Sequence, residues 1–154
     1  MSRERKYRFS VVLILISGFI FSACVSVKPV YYSDDEKRAE KVVEQFHKLY
    51  NEQNYEEIFN TAHEEAKRTK SREGLGLALA QAFEKYGRHL SSEIVYRKVQ
   101  PVSGSERQVE FALRSKFEKG ERIETFLIVS NGEKAALFGI GELTEEELEK
   151  LDPK

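Results

Sequence analysis

From residue 34 onward the apolar positions recur first at helical and then at strand spacing. Ala39, Val42, Val43, Phe46, Leu49 and Tyr50 lie three or four residues apart, the stripe of an amphipathic helix. Ser33 ahead of Asp34, Asp35 and Glu36 predicts its start, since acidic side chains favour the positive end of a helix dipole. Asn54 with Glu57 opens a second helix whose stripe is Tyr55, Ile58, Phe59, Ala62 and Ala66. Ser71 caps a third, carrying Leu75, Leu79, Ala82, Phe83 and Tyr86, and Gly87 stands where a helix-ending glycine belongs.

Beyond Gly87 the period shortens to two. His89 to Val99 reads as a strand ended by Pro101 and the turn Ser103-Gly104-Ser105. Val109, Phe111, Leu113, Ser115 and Phe117 alternate with Glu110, Ala112, Arg114 and Lys116, a half-buried strand. A Lys119-Gly120 turn leads to a third strand, Ile123 to Val129. Asn131-Gly132 is a two-residue hairpin signal, and Lys134 to Ile140 the fourth strand. Leu143, Thr144, Glu147 and Leu148 form a staple and capping box for a short closing helix. Three helices and then four antiparallel strands predict an α+β fold, with the domain occupying residues 34–154.

The N-terminus has a different character. Residues 1–8 are basic, Phe9 to Phe21 is an apolar run too short to span a bilayer, and small Ser22 and Ala23 precede Cys24. Phe21-Ser22-Ala23-Cys24 resembles the lipobox of bacterial lipoproteins, although Leu is usual where Phe21 stands. The resemblance implies a signal peptide over 1–23 and a lipid on Cys24, the only cysteine of the chain. Residues 24–33 would form a short tether holding the domain outside the cytoplasm on a membrane. Val25 after the cysteine weakly favours an outer membrane, because an Asp there would resemble an inner-membrane retention signal. Removing the segment's four basic and one acidic residues from the 25 and 26 of the chain leaves a net charge of −4. A mildly acidic body without a basic stripe does not suit nucleic acid. Ten Phe and seven Tyr argue for a packed core rather than disorder.

The element order, with Phe46-His47-Lys48-Leu49-Tyr50-Asn51, Asn54-Tyr55 and Ile58-Phe59, is similar to the nuclear-transport-factor-2-like (cystatin-like) superfamily, over about Glu36 to Leu143. The resemblance implies a curved sheet wrapped against helices as a cone. Some members of that superfamily are ketosteroid isomerases and dehydratases, and many bind ligands or proteins without chemistry.

No motif supplies a catalytic centre. His63-Glu64 begins like a zinc-protease helix, but Lys67 stands where the second His must be. The three histidines are far apart along the chain, which predicts no metal site and no cofactor. Gly74-Leu75-Gly76 lacks the strand and third glycine of a dinucleotide loop. Glu124 is the singular residue. A Lys119-Gly120 turn places it opposite Ser115 on an otherwise apolar face, with Gly139 across the next strand. There it would be desolvated beside Phe111, Leu113, Phe126 and Ile128, or paired with Arg122, a helix terminus or a Tyr. His47 and Tyr50 are candidates for the mouth of the same pocket, although His47 after Phe46 reads as flank, and no acid–His pair can be placed from spacing. On the opposite face Leu127, Phe138 and Ile140 need cover from the closing helix, from a second copy or from an envelope protein. The expectation is a non-enzymatic binding or scaffold module, with a carrier of a small apolar ligand as the alternative.

Overall fold

A computed structural model describes the backbone of residues 30–151 and the side chains of residues 34–151. Cys24 and residues 1–23, the stretch expected to be a signal peptide, lie outside them. The order is α1 (Val30–Asn51), α2 (Tyr55–Asn60), α3 (Glu64–Thr69), α4 (Arg72–Tyr86), β1 (His89–Ser103), β2 (Glu106–Phe117), β3 (Gly120–Ser130), β4 (Ala135–Leu143) and α5 (Glu145–Leu151). The four strands form one antiparallel sheet in the order β1-β2-β3-β4. Among the described residues no helix is long and apolar enough to cross a membrane.

Local signals account for most boundaries. Asn54 accepts the Glu57 amide and starts α2; Ser71 accepts the Gly74 amide at 2.9 Å and starts α4. Thr144 and Glu147 exchange reciprocal bonds, amide to carboxylate at 2.8 Å and amide to hydroxyl at 3.2 Å, at the start of α5. β1 runs through Pro101 to Ser103 rather than ending before it, and two helix boundaries differ from expectation. The backbone of α1 begins at Val30, so Ser33 lies inside the helix rather than capping it. The stretch read as one second helix is two short ones. Thr61 closes α2, and His63 accepts the Glu65 amide to open α3 while its own amide reaches the Leu137 carbonyl at 2.8 Å.

The core forms where the α1 stripe meets one face of the sheet. Ala39, Val43, Phe46, Leu49 and Tyr50 pack with Val109, Phe111, Leu113 and Phe117 of β2, Phe126 and Ile128 of β3, and Leu137 of β4. Fully burying each of these large side chains is worth about 1.5–3 kcal/mol. Phe46 is the hub, stacked on Tyr50 and edge-on to Phe126 at 5.2 Å.

The β2–β3 turn is Glu118-Lys119, one residue earlier than the Lys119-Gly120 turn expected, with Phe117 opposite Gly120. Tertiary bonds pin it there: the Glu118 amide donates to the Arg88 carbonyl and the Lys119 amide to the Tyr86 carbonyl. Gly87, at φ 75°, lets the chain pass closely; a Cβ there would meet a Glu118 carboxylate oxygen at 2.7 Å. Consequently Leu113 opposes Glu124, and Ser115 opposes Arg122 rather than Glu124. The slip moves pairing by two residues, so every side chain keeps its face.

The β3–β4 connection is not the two-residue hairpin expected. Ser130 pairs with Ala135, and Asn131 accepts the amides of Glu133 and Lys134 inside the longer loop. A bulge then inserts Phe138: Ile128 opposes Leu137, but Leu127 opposes Gly139. Gly139 therefore does not face Glu124, whose partner on β4 is Glu142. The bulge also turns Ile140 to the helix side, opposite Phe126, where it packs against the core. On the other face Ile123 is buried between Arg114 and Leu143 in register, and both terminal nitrogens of Arg114 bind Glu145 at the start of α5.

Candidate functional site

His47 lies four residues after Val43 and three before Tyr50, so the helix turns it toward the sheet with the core stripe. It is only 5% exposed. Its Nε2 stands 2.8 Å from Oε2 of Glu124, itself 3% exposed. The other carboxylate oxygen accepts from Arg122 Nη2 at 2.6 Å. Arg122 reaches along β3 from two residues before, its guanidinium lying 4.9 Å from the Tyr86 ring centre and 4.8 Å from that of Phe117. A second imidazole completes the group. His89 begins β1 just past the Gly87 cap and stacks on His47 with ring centres 3.7 Å apart and planes within 1° of parallel. Asn51, at the end of α1, clamps the His89 backbone from both sides, accepting its amide at 2.7 Å and donating to its carbonyl at 2.9 Å.

The electrostatics follow from that packing. Burial works against the charge of Glu124, but the hydrogen bond and charge of His47, followed by Arg122 and the nearby Ser115, outweigh it and hold the carboxyl at about 2. An ionised carboxylate only accepts, so the proton between the pair sits on His47 Nε2. Burial, and then the charge of His47, push His89 down to about 4, so it is neutral in near-neutral solution. Burial raises the Tyr50 phenol to about 12 and keeps it a donor, to the Gly87 carbonyl at 3.2 Å. Three buried polar atoms of this cluster have no well-formed hydrogen-bond partner: His89 Nε2, Ser115 Oγ and Arg122 Nε.

A cavity of about 470 Å³ opens between α1 and strands β1 and β2. Val43, Ile94, Phe111 and Leu113 give it an apolar wall, His47 and His89 stand in that wall, and Glu40, Glu44 and Lys48 belong to its polar lining. Of the residues read as pocket lining, His47 and Phe111 line this cavity. Tyr50 and Phe126 are core residues, and Ser115 is fully buried. Glu124 and Phe126 line a second cavity of about 240 Å³, between α4 and strands β3 and β4.

The candidate interface residues do not share one face. Leu127 lies on the outer face opposite Gly139, Phe138 is the bulged residue with its ring 5.7 Å from that of His63, and Ile140 packs toward the helices. His63 serves as a helix cap, and the Lys67 that replaces a second ligand pairs with Glu64.

Sequence reasoning missed His89 and the acid–His pair. The premise that the histidines are far apart fails in space: His47 and His89 are stacked, and with Glu124 they bring one potential ligand atom each within 4.8 Å of one another. The signal available was the position of His47 on the Val43–Tyr50 stripe, which places it in the interior despite its neighbour Phe46. No protein-family model matches this chain, and no curated protein matches it either.

Proposed function

We propose that the chain is a lipoprotein anchored through Cys24 on the outside of a membrane, with a nuclear-transport-factor-2-like domain that binds a small ligand. The anchor rests on the order of basic, apolar and small residues ending in the single cysteine. The cone-like fold is supported by the face of α1 packed against a four-stranded antiparallel sheet. One observation carries the binding role: a cavity of about 470 Å³ combines an apolar wall with two imidazoles, the composition of a small-molecule site. The ligand has an apolar body and a polar end that meets the histidines. Native mass spectrometry of the full chain extracted from its membrane tests this. A co-purifying small molecule, absent when Ile94→Trp fills the cavity, is the expected result. A chain carrying the same adduct with the cavity filled overturns the reading, as does a bare chain that no apolar probe shifts by NMR at the cavity residues.

A second reading is favoured by the His47–Glu124 bond. A carboxylate that holds an imidazole against a cavity is the arrangement of an acid–base catalyst. In that case His47→Asn abolishes turnover while ligand binding persists; for a carrier, the substitution changes only affinity.

A further inference from the structure

We propose that His47, His89 and Glu124 are the protein ligands of a divalent transition-metal site, of the zinc class, at the wall of the larger cavity. Each offers one donor atom, and the three lie within 4.8 Å of one another. Two imidazoles and a carboxylate are the donor set that zinc takes when a coordination position stays open for water or ligand. His89 Nε2 is buried without a hydrogen-bond partner, an expensive state for a nitrogen lone pair unless something else occupies it. Between His47 Nε2 and Glu124 Oε2, 2.8 Å apart, a proton holds the place that an ion would take.

The surroundings provide the outer support that such sites use. Arg122 holds Oε1 of Glu124 and leaves Oε2 for the ion, and Asn51 fixes the backbone of His89. Both histidines line the cavity, which gives an ion its way in.

Two features limit the site. The parallel rings cannot both contain one ion in their planes, so His89 turns about its side-chain bonds on binding. That turn breaks no hydrogen bond at Nε2, where none exists, but it works against the ring's bond to the Ser91 backbone. The charge of Arg122 opposes the ion, so affinity falls below that of a closed structural zinc site. The inference depends on the ligand-binding reading only for the open cavity, and the two are scored separately: zinc by titration, the organic ligand by native mass.

The test uses the full chain in detergent, without a histidine tag, stripped with a chelator. Zinc titrated by calorimetry is expected to bind at one ion per chain, and cobalt(II) to give the strong visible absorption of a four- or five-coordinate ion. His89→Ala should weaken zinc by more than the roughly 10- to 100-fold that loss of an outer-shell partner costs. NMR of the wild-type imidazoles covers the case in which that variant does not fold: zinc should shift His47 and His89 and leave His63 in place. Absence of stoichiometric binding, the pale spectrum of hydrated cobalt, equal affinity in a folded His89→Ala chain, or shifts confined to His63 each overturn the site. In those cases the unpartnered Nε2 and Ser115 hydroxyl share only water.

Discussion

Two buried polar clusters tie α1 to β3, one toward each end of the helix. Toward the N-terminal end Asp35, fully buried, accepts from Ser130 Oγ at 2.6 Å and from Arg38 at 3.0 Å. Toward the C-terminal end His47 meets Glu124, with Arg122 behind it. The spacings match. Twelve residues of helix from Asp35 to His47 span about 18 Å, and six residues of strand from Ser130 back to Glu124 span about 20 Å. Paired this way, the clusters fix helix and strand antiparallel and in register. They differ in their surroundings. The cation of the first, Arg38, is about a third exposed and reaches water, and none of its three residues lines the large cavity. The second places two imidazoles in the cavity wall; each cluster leaves its arginine Nε unpartnered, and the second leaves His89 Nε2 and Ser115 Oγ so as well. Similar chemistry serves as a clamp in one place and as a candidate site in the other, and the cavity decides between them.

Breaking each clamp gives the largest expected effect. Glu124→Ala leaves Arg122, only 12% exposed, without its closest carboxylate, and should cost about 3–5 kcal/mol. Asp35→Ala lets Arg38 turn to solvent and leaves only the Ser130 hydroxyl to be satisfied, a cost of about 1–3 kcal/mol. Urea midpoints of the two variants check the order. Equal losses would show that the Glu124 cluster is no more desolvated than the Asp35 cluster.

Asn51→Ala comes next, at about 1–3 kcal/mol, because it removes both bonds that hold the His89 backbone. The sharper readout is the His89 imidazole, whose NMR shifts should lose the ring-current signature of stacking on His47. An unchanged spectrum would mean that the stack does not depend on the Asn51 clamp.

Acid should separate the regions further. Glu124 titrates near 2 when folded against an ordinary 4.5, so the stability it contributes is complete above about 4.5 and is lost as the pH falls toward 2. His89 titrates near 4 rather than 6.5, so the unfolded chain binds more protons between those values and stability falls as the pH drops from about 6.5 to 4. Thermal midpoints against pH should show both slopes. His89→Gln should flatten the upper one and Glu124→Gln the lower one.

How much of this was legible depends on which property of the chain carries it. Caps at Asn54, Ser71, Gly87 and Thr144 are local, and the structure keeps all four. The interior face of Glu124 was legible because a shifted turn preserves alternation. Its neighbours were not. The turn sits at Glu118-Lys119 because Arg88 and Tyr86 accept its amides, and those contacts come from elements some thirty residues earlier in the chain. The bulge at Phe138 likewise displaces Gly139 and turns Ile140 inward with no mark in the local pattern. His89 reaches His47 only through the Gly87 turn and the Asn51 clamp, a juxtaposition that no spacing along one strand encodes.

The smallest expected effect sharpens the comparison most. Each cluster contains a serine on the sheet, Ser130 in one and Ser115 in the other, and both are fully buried. Ser130 donates to Asp35, so Ser130→Ala should cost about 0.5–1.5 kcal/mol, plus a share for the carboxylate oxygen left without its donor. The Ser115 hydroxyl makes no well-formed hydrogen bond, and only a weak interaction with the Glu124 carboxylate helps to hold that group down. Replacing an unsatisfied buried hydroxyl with a methyl group removes a desolvation cost, so Ser115→Ala should be neutral or slightly stabilising. Urea midpoints measured side by side decide the matter. A loss at Ser115 as large as that at Ser130 would mean that its hydroxyl is bonded in solution, through an ordered water or through whatever occupies the space beside His89. Repeating the Ser115→Ala measurement with zinc present would then separate the two, since only an ion would make the loss depend on the metal.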